Sequence, residues 1–308
     1  LSKSNSLIKL SNSMFAAILL KIPLREVLLF KSLRNFLILF IKIIYYNTYR
    51  SILSNFTKKF NLIVHNYKKI KIFNITFYDA KYKKLKNLLD KKGGLLVLPS
   101  GPGLSSIDKD KKYHTALINS DIALFDSGYL CLLLRIIKGL KVNKYSGYKF
   151  FNDLIINLKK EKLKKIFIVD PSQKESLINK NFFISKNIKN TFHYIAPIYK
   201  KKIIDKNLLK QVKKIKPKYI IINLGGGTQE ILGYYIKKNI KKKITIFCTG
   251  AAISFYTKQQ APMNNIIDKM YLGWLIRIIY NPVVFLPRYI KALKLFFMIL
   301  NNKIRRLK

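Results

Sequence analysis

Two features of this sequence combine reactive or anion-binding groups with the end of a predicted strand. Asp126 directly follows the apolar run Ile122–Phe125, in an Asp-Ser-Gly turn, where a carboxylate can act as a general base. The turn Gly225–Gly227 follows the run Tyr219–Leu224 and precedes Gln229. Glycine N–H groups can approach an anion closely, so such turns often hold phosphate. Both are also common tight turns, so neither identifies a site alone.

Metal-binding patterns are weak. Asp108 and Asp110 form an Asp-x-Asp pair, but no predicted strand precedes it and lysines surround it. We interpret it as a solvated helix start and predict no metal site. The histidines and cysteines share no ligand-like spacing, which argues against zinc, and we expect buried free thiols in a reducing compartment. These residues are His65, His114, His193, Cys131 and Cys248.

The elements that must position these groups alternate between strands and helices. Such alternation predicts an α/β, Rossmann-like, mainly parallel sheet with helices on both faces. The turns after parallel strands gather at one edge, so five turns are candidates for one shared site. The predicted strands are Leu95–Leu98, Ile122–Phe125, Ile166–Val169, Tyr219–Leu224 and Ile244–Phe247, and helical stretches include Leu154–Leu163 and Glu230–Lys238.

The α/β domain is predicted over 67–287, between two different ends. Residues 1–66 are basic and apolar, and we expect amphipathic helices that pack on a core or lie on a membrane surface. Residues 288–308 form a basic tail whose apolar positions 290, 293, 297, 300 and 304 make one helical stripe. This helix could lie in an anionic membrane interface or pack on the domain. No transmembrane span is predicted, because the most apolar N-terminal piece is short and contains a lysine.

The net charge of +46 is extreme, with 60 basic and 14 acidic residues among 308. It favours nucleic acid, anionic lipid or a phosphorylated substrate as partner. The abundance of Lys, Ile and Asn together is also what an A+T-rich genome produces. No nucleic-acid-binding motif accompanies the charge, so no nucleic acid is expected as partner. A non-catalytic basic protein that binds nucleic acid or an anionic membrane surface is the alternative to an enzyme.

Three separated blocks occur in an order that is more specific than any single motif. The first has Leu-Pro-Ser at 98–100, a helix pattern at Asp110, Tyr113, Leu117 and Ser120-Asp121, then Asp126, and Lys144 before Ser146-Gly147. The second is LGGGTQE at 224–230, and the third joins Ala-Pro at 261–262 to YLGWLIRIIYNPVVFLPRY at 271–289. Together they resemble the WecG/TagA/CpsF glycosyltransferases, glycosyltransferase family 26, over residues 68–290.

The resemblance implies a hexosyltransferase of cell-surface or capsular polysaccharide biosynthesis. It implies transfer with inversion of an N-acetylmannosamine-type sugar from a UDP-sugar to an acceptor linked to polyprenyl diphosphate. No metal or other cofactor is expected. The implied location is cytoplasmic, peripheral on the inner face of the cell membrane, with membrane contact through the basic tail. The oligomeric state is open, and a homo-oligomer is possible.

The resemblance also assigns roles to residues. Asp126 matches the proposed general base, and Ser100 and Lys144 fall in the substrate pocket where the family places Asn and Arg. Ser127 separates Asp126 from its glycine, and Ser254 and Gly273 replace acidic residues of the pattern. These departures predict a divergent member. The nucleotide-side residues are Gly225, Gly226, Gly227, Gln229, Thr249 and Gly250, and the lipid-diphosphate residues are Arg277 and Arg288.

Overall fold

The structure, a computed structural model, describes residues 69–161, 163–200, 203–240 and 242–307. These residues form one nine-stranded sheet with the strand order β6-β5-β7-β8-β3-β4-β2-β1-β9. The seven strands from β6 to β2 are parallel to their neighbours, and β1 pairs antiparallel with both β2 and β9. The strands are β1 (Lys69–Ile72), β2 (Ile75–Tyr78), β3 (Gly94–Val97), β4 (Ile122–Leu124), β5 (Ile166–Asp170), β6 (Thr191–Ile195), β7 (Tyr219–Ile222), β8 (Thr245–Cys248) and β9 (Arg305–Leu307).

The predicted α/β class is confirmed, and all five predicted strands form within one or two residues of their expected bounds. Four short strands were not predicted: β1, β2, β6 and β9. The helices are α1 (Tyr82–Lys92), α2 (Gly101–Leu104), α3 (Lys111–Ile118), α4 (Gly128–Lys138), α5 (Gly147–Lys160), α6 (Gln173–Ser185), α7 (Lys206–Ile215), α8 (Thr228–Asn239), α9 (Ala252–Tyr256), α10 (Asn265–Lys269), α11 (Gly273–Tyr280), α12 (Pro282–Ala292) and α13 (Lys294–Asn301).

Helices cover both faces of the sheet, as predicted. The central strand β7 illustrates why, since Ile220 and Ile222 point into one core whereas Tyr219 and Ile221 point into the other. Successive strand side chains alternate between faces, so a continuously apolar strand needs apolar cover on both. One face packs against α3, α4, α7, α8 and α13, and the other packs against α1, α5, α6 and α9.

The C-terminal tail differs from the single helix predicted for 288–308. The tail has two helices that meet at Leu293, and residues 305–307 form β9 beside β1. Leu295 and Ile299 are fully buried in the core, whereas Phe297 and Leu300 of the predicted stripe are exposed. Periodicity could not predict β9, because this strand forms by pairing with the otherwise open edge of β1.

Two predictions concern membranes. The first is a helical extension over residues 1–66 that packs on a core or lies on a membrane surface, and these residues lie outside the described ones. Within the part of the chain that the structure describes, no helix has the length and apolar character needed to cross a bilayer.

Candidate active site

A cavity of about 340 Å³ lies at the carboxyl edge of the central strands. The turns after β3, β4, β7 and β8 line it, and we call these four turns the sheet wall. The chain runs from β3 to β4 on one side, while β8 lies on the other side of β3. Such a reversal of strand order opens a crevice in which ligands of α/β proteins bind.

The fifth turn predicted to share this site does not line the cavity. It follows β5, which is separated from β8 by β7 and so lies farther from the crevice. Asp170 in this turn is fully buried and accepts hydrogen bonds from the side chains of His193, Asn179 and Asn223. The turn after β5 therefore has a packed polar environment of its own.

Asp126 lies at the end of β4 and faces the cavity. Its Oδ1 accepts a hydrogen bond of 2.6 Å from the backbone N–H of Gly147, at the start of α5. Burial raises the pKa of Asp126, while the Gly147 N–H and the positive charges of Arg277 and Lys144 act to lower it. No described residue is hydrogen-bonded to Oδ2, so this oxygen can accept a proton from a substrate.

The glycine turn after β7 is tied to the turn after β8 through Gln229. The Gln229 Oε1 accepts a 2.6 Å hydrogen bond from the Gly250 N–H, and its Nε2 donates to Glu230 Oε1 at 2.9 Å. Glu230 Oε2 in turn accepts from the Gly227 N–H at 2.7 Å. Gly227 has φ of 90°, which favours glycine, and this residue directly precedes α8 as its N-cap. The turn is thus held in one conformation by side chains that are themselves buried.

Gly227 is the predicted nucleotide residue that does not line the cavity. Its N–H is already bonded to Glu230 and is therefore not available to a phosphate. Gly225 and Gly226 do line the cavity, and a Cβ atom placed on either would meet no other atom within 4 Å. These two glycines leave open space beside the backbone, which is what close approach of an anion requires.

The opposite side of the cavity is formed by residues 263–292, which we call the C-terminal wall. Lys144 Nζ lies 2.7 Å from Asp268 Oδ1 and donates to the Asp268 carbonyl oxygen, and both side chains are largely buried, with 9% and 15% exposed. Tyr271 lies beside Lys144 and packs so closely on Gly128 that a Cβ there would be 2.7 Å from its ring. Lys144, expected to contact substrate, also attaches the C-terminal wall.

Arg277 and Arg288 both point to this cavity from the C-terminal wall. The Arg277 guanidinium lies over the Phe255 ring at 5.0 Å, and that of Arg288 over Phe285 at 5.7 Å. Neither forms an ion pair with a described residue, and the Arg277 Nε is buried without a hydrogen-bonding partner among them. Arginines without a carboxylate partner in a cavity are suited to bind a phosphate group.

Two of the serines that depart from the family pattern have local structural roles. Ser100 caps α2 by accepting from the Gly103 N–H, and Ser127 caps α4 by accepting from the Leu130 N–H, both at 3.2 Å. A serine at these positions satisfies a helix N–H group that otherwise has no partner. Both residues also line the cavity.

The structure gathers all but one of the predicted site residues and adds some that the sequence analysis missed. The residues that line the cavity as predicted are Ser100, Asp126, Lys144, Gly225, Gly226, Gln229, Thr249, Gly250, Arg277 and Arg288. Glu230 and Asp268 were not predicted. Glu230 is the third residue of α8, and a glutamate at this position is a signal for a side chain that accepts from the N–H of the residue before the helix, here Gly227. This signal could have identified Glu230.

The two aspartates considered for metal binding have other partners, and His65 lies outside the described residues. Asp110 caps α3 by accepting from the Tyr113 N–H, which confirms the predicted helix start, and Asp108 pairs with Lys294. Across the described residues, no three His, Cys, Asp or Glu side chains lie close enough together to hold a metal ion. Cys131 and Cys248 are both free and buried, as predicted.

Similarity to known proteins adds evidence that is independent of this geometry. Curated protein sequences contain no significant match to the chain. The model of the glycosyl transferase WecG/TagA/CpsF family matches residues 66–308. This range includes all the strands and helices of the described residues and both walls of the cavity. The chain therefore belongs to the WecG/TagA/CpsF family of glycosyltransferases, enzymes of cell-surface polysaccharide biosynthesis that transfer a sugar from a donor to an acceptor.

Proposed function

We propose that this glycosyltransferase moves an N-acetylmannosamine-type sugar from a UDP-sugar to an acceptor linked to polyprenyl diphosphate, with inversion at the anomeric carbon. The observation that supports it is the meeting of Asp126, the Gly225–Gly226 turn and two arginines that pair with no described carboxylate in one cavity. A base, a diphosphate site and a second anion site are the groups that this reaction requires.

In the proposed step, Asp126 acts as the general base. The acceptor hydroxyl oxygen attacks the anomeric carbon from the face opposite UDP, and Asp126 Oδ2 takes the hydroxyl proton. The bond between the anomeric carbon and the β-phosphate oxygen breaks, and its electron pair leaves with UDP. The hydrogen bond from the Gly147 N–H to Oδ1 holds the carboxylate in place while Oδ2 accepts the proton.

The departing UDP gains negative charge, which fixed donors on the sheet wall can stabilise without rearranging. The open backbone at Gly225 and Gly226, with the Thr249 and Gly250 turn next to it, is the proposed place for the donor diphosphate. Gln229 supports this place indirectly, since its amide is bonded to Gly250 and Glu230. Ser100 and Lys144, which line the same cavity as Asp126, are the proposed contacts for the rest of the substrate.

Arg277 and Arg288 are the proposed contacts for the diphosphate of the acceptor. They lie on the C-terminal wall. Large apolar side chains are exposed on the helices of this part of the chain, such as Val283 of α12 at 82% and Phe297 of α13 at 63%. Lys291 and Lys294 lie between these two positions in the chain and are exposed. Apolar side chains with nearby cations are typical of a surface that lies in an anionic membrane interface.

The reaction is tested with purified protein, a panel of UDP-sugars labelled in the sugar, and a short polyprenyl-diphosphate amino sugar as acceptor. We expect transfer of label to the lipid, and a rise in melting temperature with UDP that other nucleotides do not produce. A protein that gains no stability from any UDP compound, and instead binds nucleic acid with a steep salt dependence, would support the non-catalytic alternative.

The membrane contact is tested by flotation with vesicles that contain anionic phospholipid. The double variant Val283→Ser, Phe297→Ser should bind less, while Leu163→Ser, which changes an exposed leucine between α5 and β5 away from this surface, should bind as the parent does. Deletion of the tail is unsuitable, because Leu295 and Ile299 belong to the core and β9 to the sheet. Equal flotation of all three proteins would contradict the proposed contact.

A further inference from the structure

The cavity holds a second buried carboxyl that the proposed reaction does not use. Glu230 lines the cavity and has only 1% of its surface exposed. Its two oxygens accept from the Gly227 N–H and the Gln229 amide, so it lies in the turn where the donor diphosphate is proposed to bind. A nucleotide diphosphate placed there brings negative charge close to this side chain.

Asp126 and Glu230, two of the three carboxyls that line the cavity, have different electrostatic surroundings. Asp126 is acted on by the cations Arg277 and Lys144, which favour its charged form. For Glu230 the main contacts among described residues that favour the charged form are hydrogen bonds, from its own N–H, the Gly227 N–H and the Gln229 amide, and the charge of Asp126 opposes ionisation. Burial raises the pKa of Glu230 to about 7. When two acids differ in this way, the one without cations is the one that becomes neutral first.

We propose that Glu230 takes up a proton when the donor binds, so that the diphosphate is accommodated beside a neutral carboxyl. This inference rests on the proposed function, because it assumes that the donor diphosphate binds at Gly225 and Gly226. A protonated carboxyl keeps acceptor capacity for the Gly227 N–H and gains an O–H donor. An oxygen of the diphosphate can accept a hydrogen bond from this O–H group, so the proton taken up on binding lies between Glu230 and the ligand.

Other groups that face Glu230 do not compete for this proton. Tyr113 of α3 and Cys248 of β8 are both buried, and burial raises the pKa of each well above its ordinary value. Both therefore stay neutral between pH 7 and about pH 9, whether or not a ligand is bound. Asp126 is the remaining candidate among the described groups that act on Glu230.

The inference is tested by calorimetric titration of the full chain with UDP-N-acetylmannosamine, without acceptor. This ligand is chosen because its diphosphate is esterified at both ends and does not titrate near neutral pH. Measurement in two buffers of different ionisation enthalpy at pH 8 gives the number of protons taken up. We expect uptake of a large fraction of one proton, and a dissociation constant that rises up to about tenfold per pH unit between pH 7.5 and 9.

Two variants assign the proton. Glu230→Gln, a neutral isostere, should bind with no proton uptake and a dissociation constant that does not change with pH. Asp126→Asn should keep the uptake. Loss of proton uptake in Asp126→Asn, with retention in Glu230→Gln, would overturn the inference. A dissociation constant of the parent protein that does not change with pH would also overturn it, and this measurement does not depend on whether Glu230→Gln folds. Absence of donor binding to the parent at every pH would instead contradict the proposed function itself.

Discussion

The sheet wall and the C-terminal wall of the cavity differ in what holds their side chains in place. In the sheet wall, Asp126 and the Gly225–Gly227 turn follow the buried strands β4 and β7. They are fixed by the Gly147 N–H, the Glu230 carboxylate and the Gln229 amide. In the C-terminal wall, helices are joined to the rest of the domain through side-chain contacts, which include the Lys144–Asp268 pair and the contact of Tyr271 with Gly128.

The two walls are suited to two different tasks, precise positioning of reacting groups and attraction of an anion. Transition-state groups must be held within a fraction of an ångström, which a parallel sheet and its register can provide. Cations that attract a diphosphate act over longer distances and tolerate looser placement. The proposed base and the proposed donor turn lie on the sheet wall, and the two arginines that pair with no described carboxylate lie on the C-terminal wall. Variants in the two walls should therefore have different effects.

The largest expected effect comes from Asp126→Asn in the sheet wall. Removal of the base should lower kcat about 10²- to 10⁴-fold and leave KM for the donor nearly unchanged, since Asn keeps the size and the bond from Gly147 N–H. In the C-terminal wall, Arg288→Gln should mainly raise KM for the acceptor. Steady-state transfer of labelled sugar measures both. The control Asp108→Asn removes a carboxylate outside the cavity and should be fully active, and full activity of Asp126→Asn would contradict the assignment of the base.

A smaller effect is expected on stability from one pair of glycine variants. Gly233→Ala in α8 places a Cβ 2.7 Å from Leu95 Cδ1 and 2.9 Å from Cys248 Sγ in the packed core, and should cost about 1–3 kcal/mol of unfolding free energy. Gly273→Ala in α11 meets the flexible end of Met263 at 2.9 Å, and should cost less than about 1 kcal/mol. Urea unfolding compares the two. Equal losses would show that the C-terminal wall is packed as rigidly as the sheet wall.

The smallest expected effect is on the pH dependence of kcat/KM. The Asp268 carboxylate raises the pKa of Asp126, so Asp268→Asn should lower it and move the acidic limb to lower pH, because the base is active when ionised. Arg277 lowers the pKa of Asp126, so Arg277→Gln should move the same limb to higher pH. Shifts in the same direction for both variants would contradict the electrostatic coupling of the C-terminal wall to the base.

The sequence allowed prediction of those parts of the fold that depend on local pattern. Runs such as Tyr219–Leu224 are apolar at every position, which is the pattern of a strand covered on both faces, and the structure has β7 there. The hairpin between β1 and β2 was missed. Its turn residues, Phe73 and Asn74, both have positive φ, but neither is glycine. The glycine-containing pair that usually marks a two-residue hairpin turn, such as Asn-Gly, was therefore absent.

The site was predictable in part for the same reason. Asp126 and Gly225–Gly226 come directly after strands, so their convergence follows from a parallel sheet. Their membership in one cavity, and the exclusion of the turn after β5, depend on the order of strands in the sheet, which no local pattern specifies. The Lys144–Asp268 pair joins positions 124 residues apart. Such a contact has no signature in either local sequence.

By itself, the sequence determined the alternation of strands and helices, the placement of an acid and a glycine turn after buried strands, and three blocks that the family match supports. The tertiary structure alone decided which turns meet, that the Gly227 N–H is occupied by Glu230, and that the last residues complete the sheet as β9. The physical reason is that hydrophobic periodicity reports the burial of each segment on its own. Strand order, edge pairing and ion pairs depend on segments that meet only after the chain has folded.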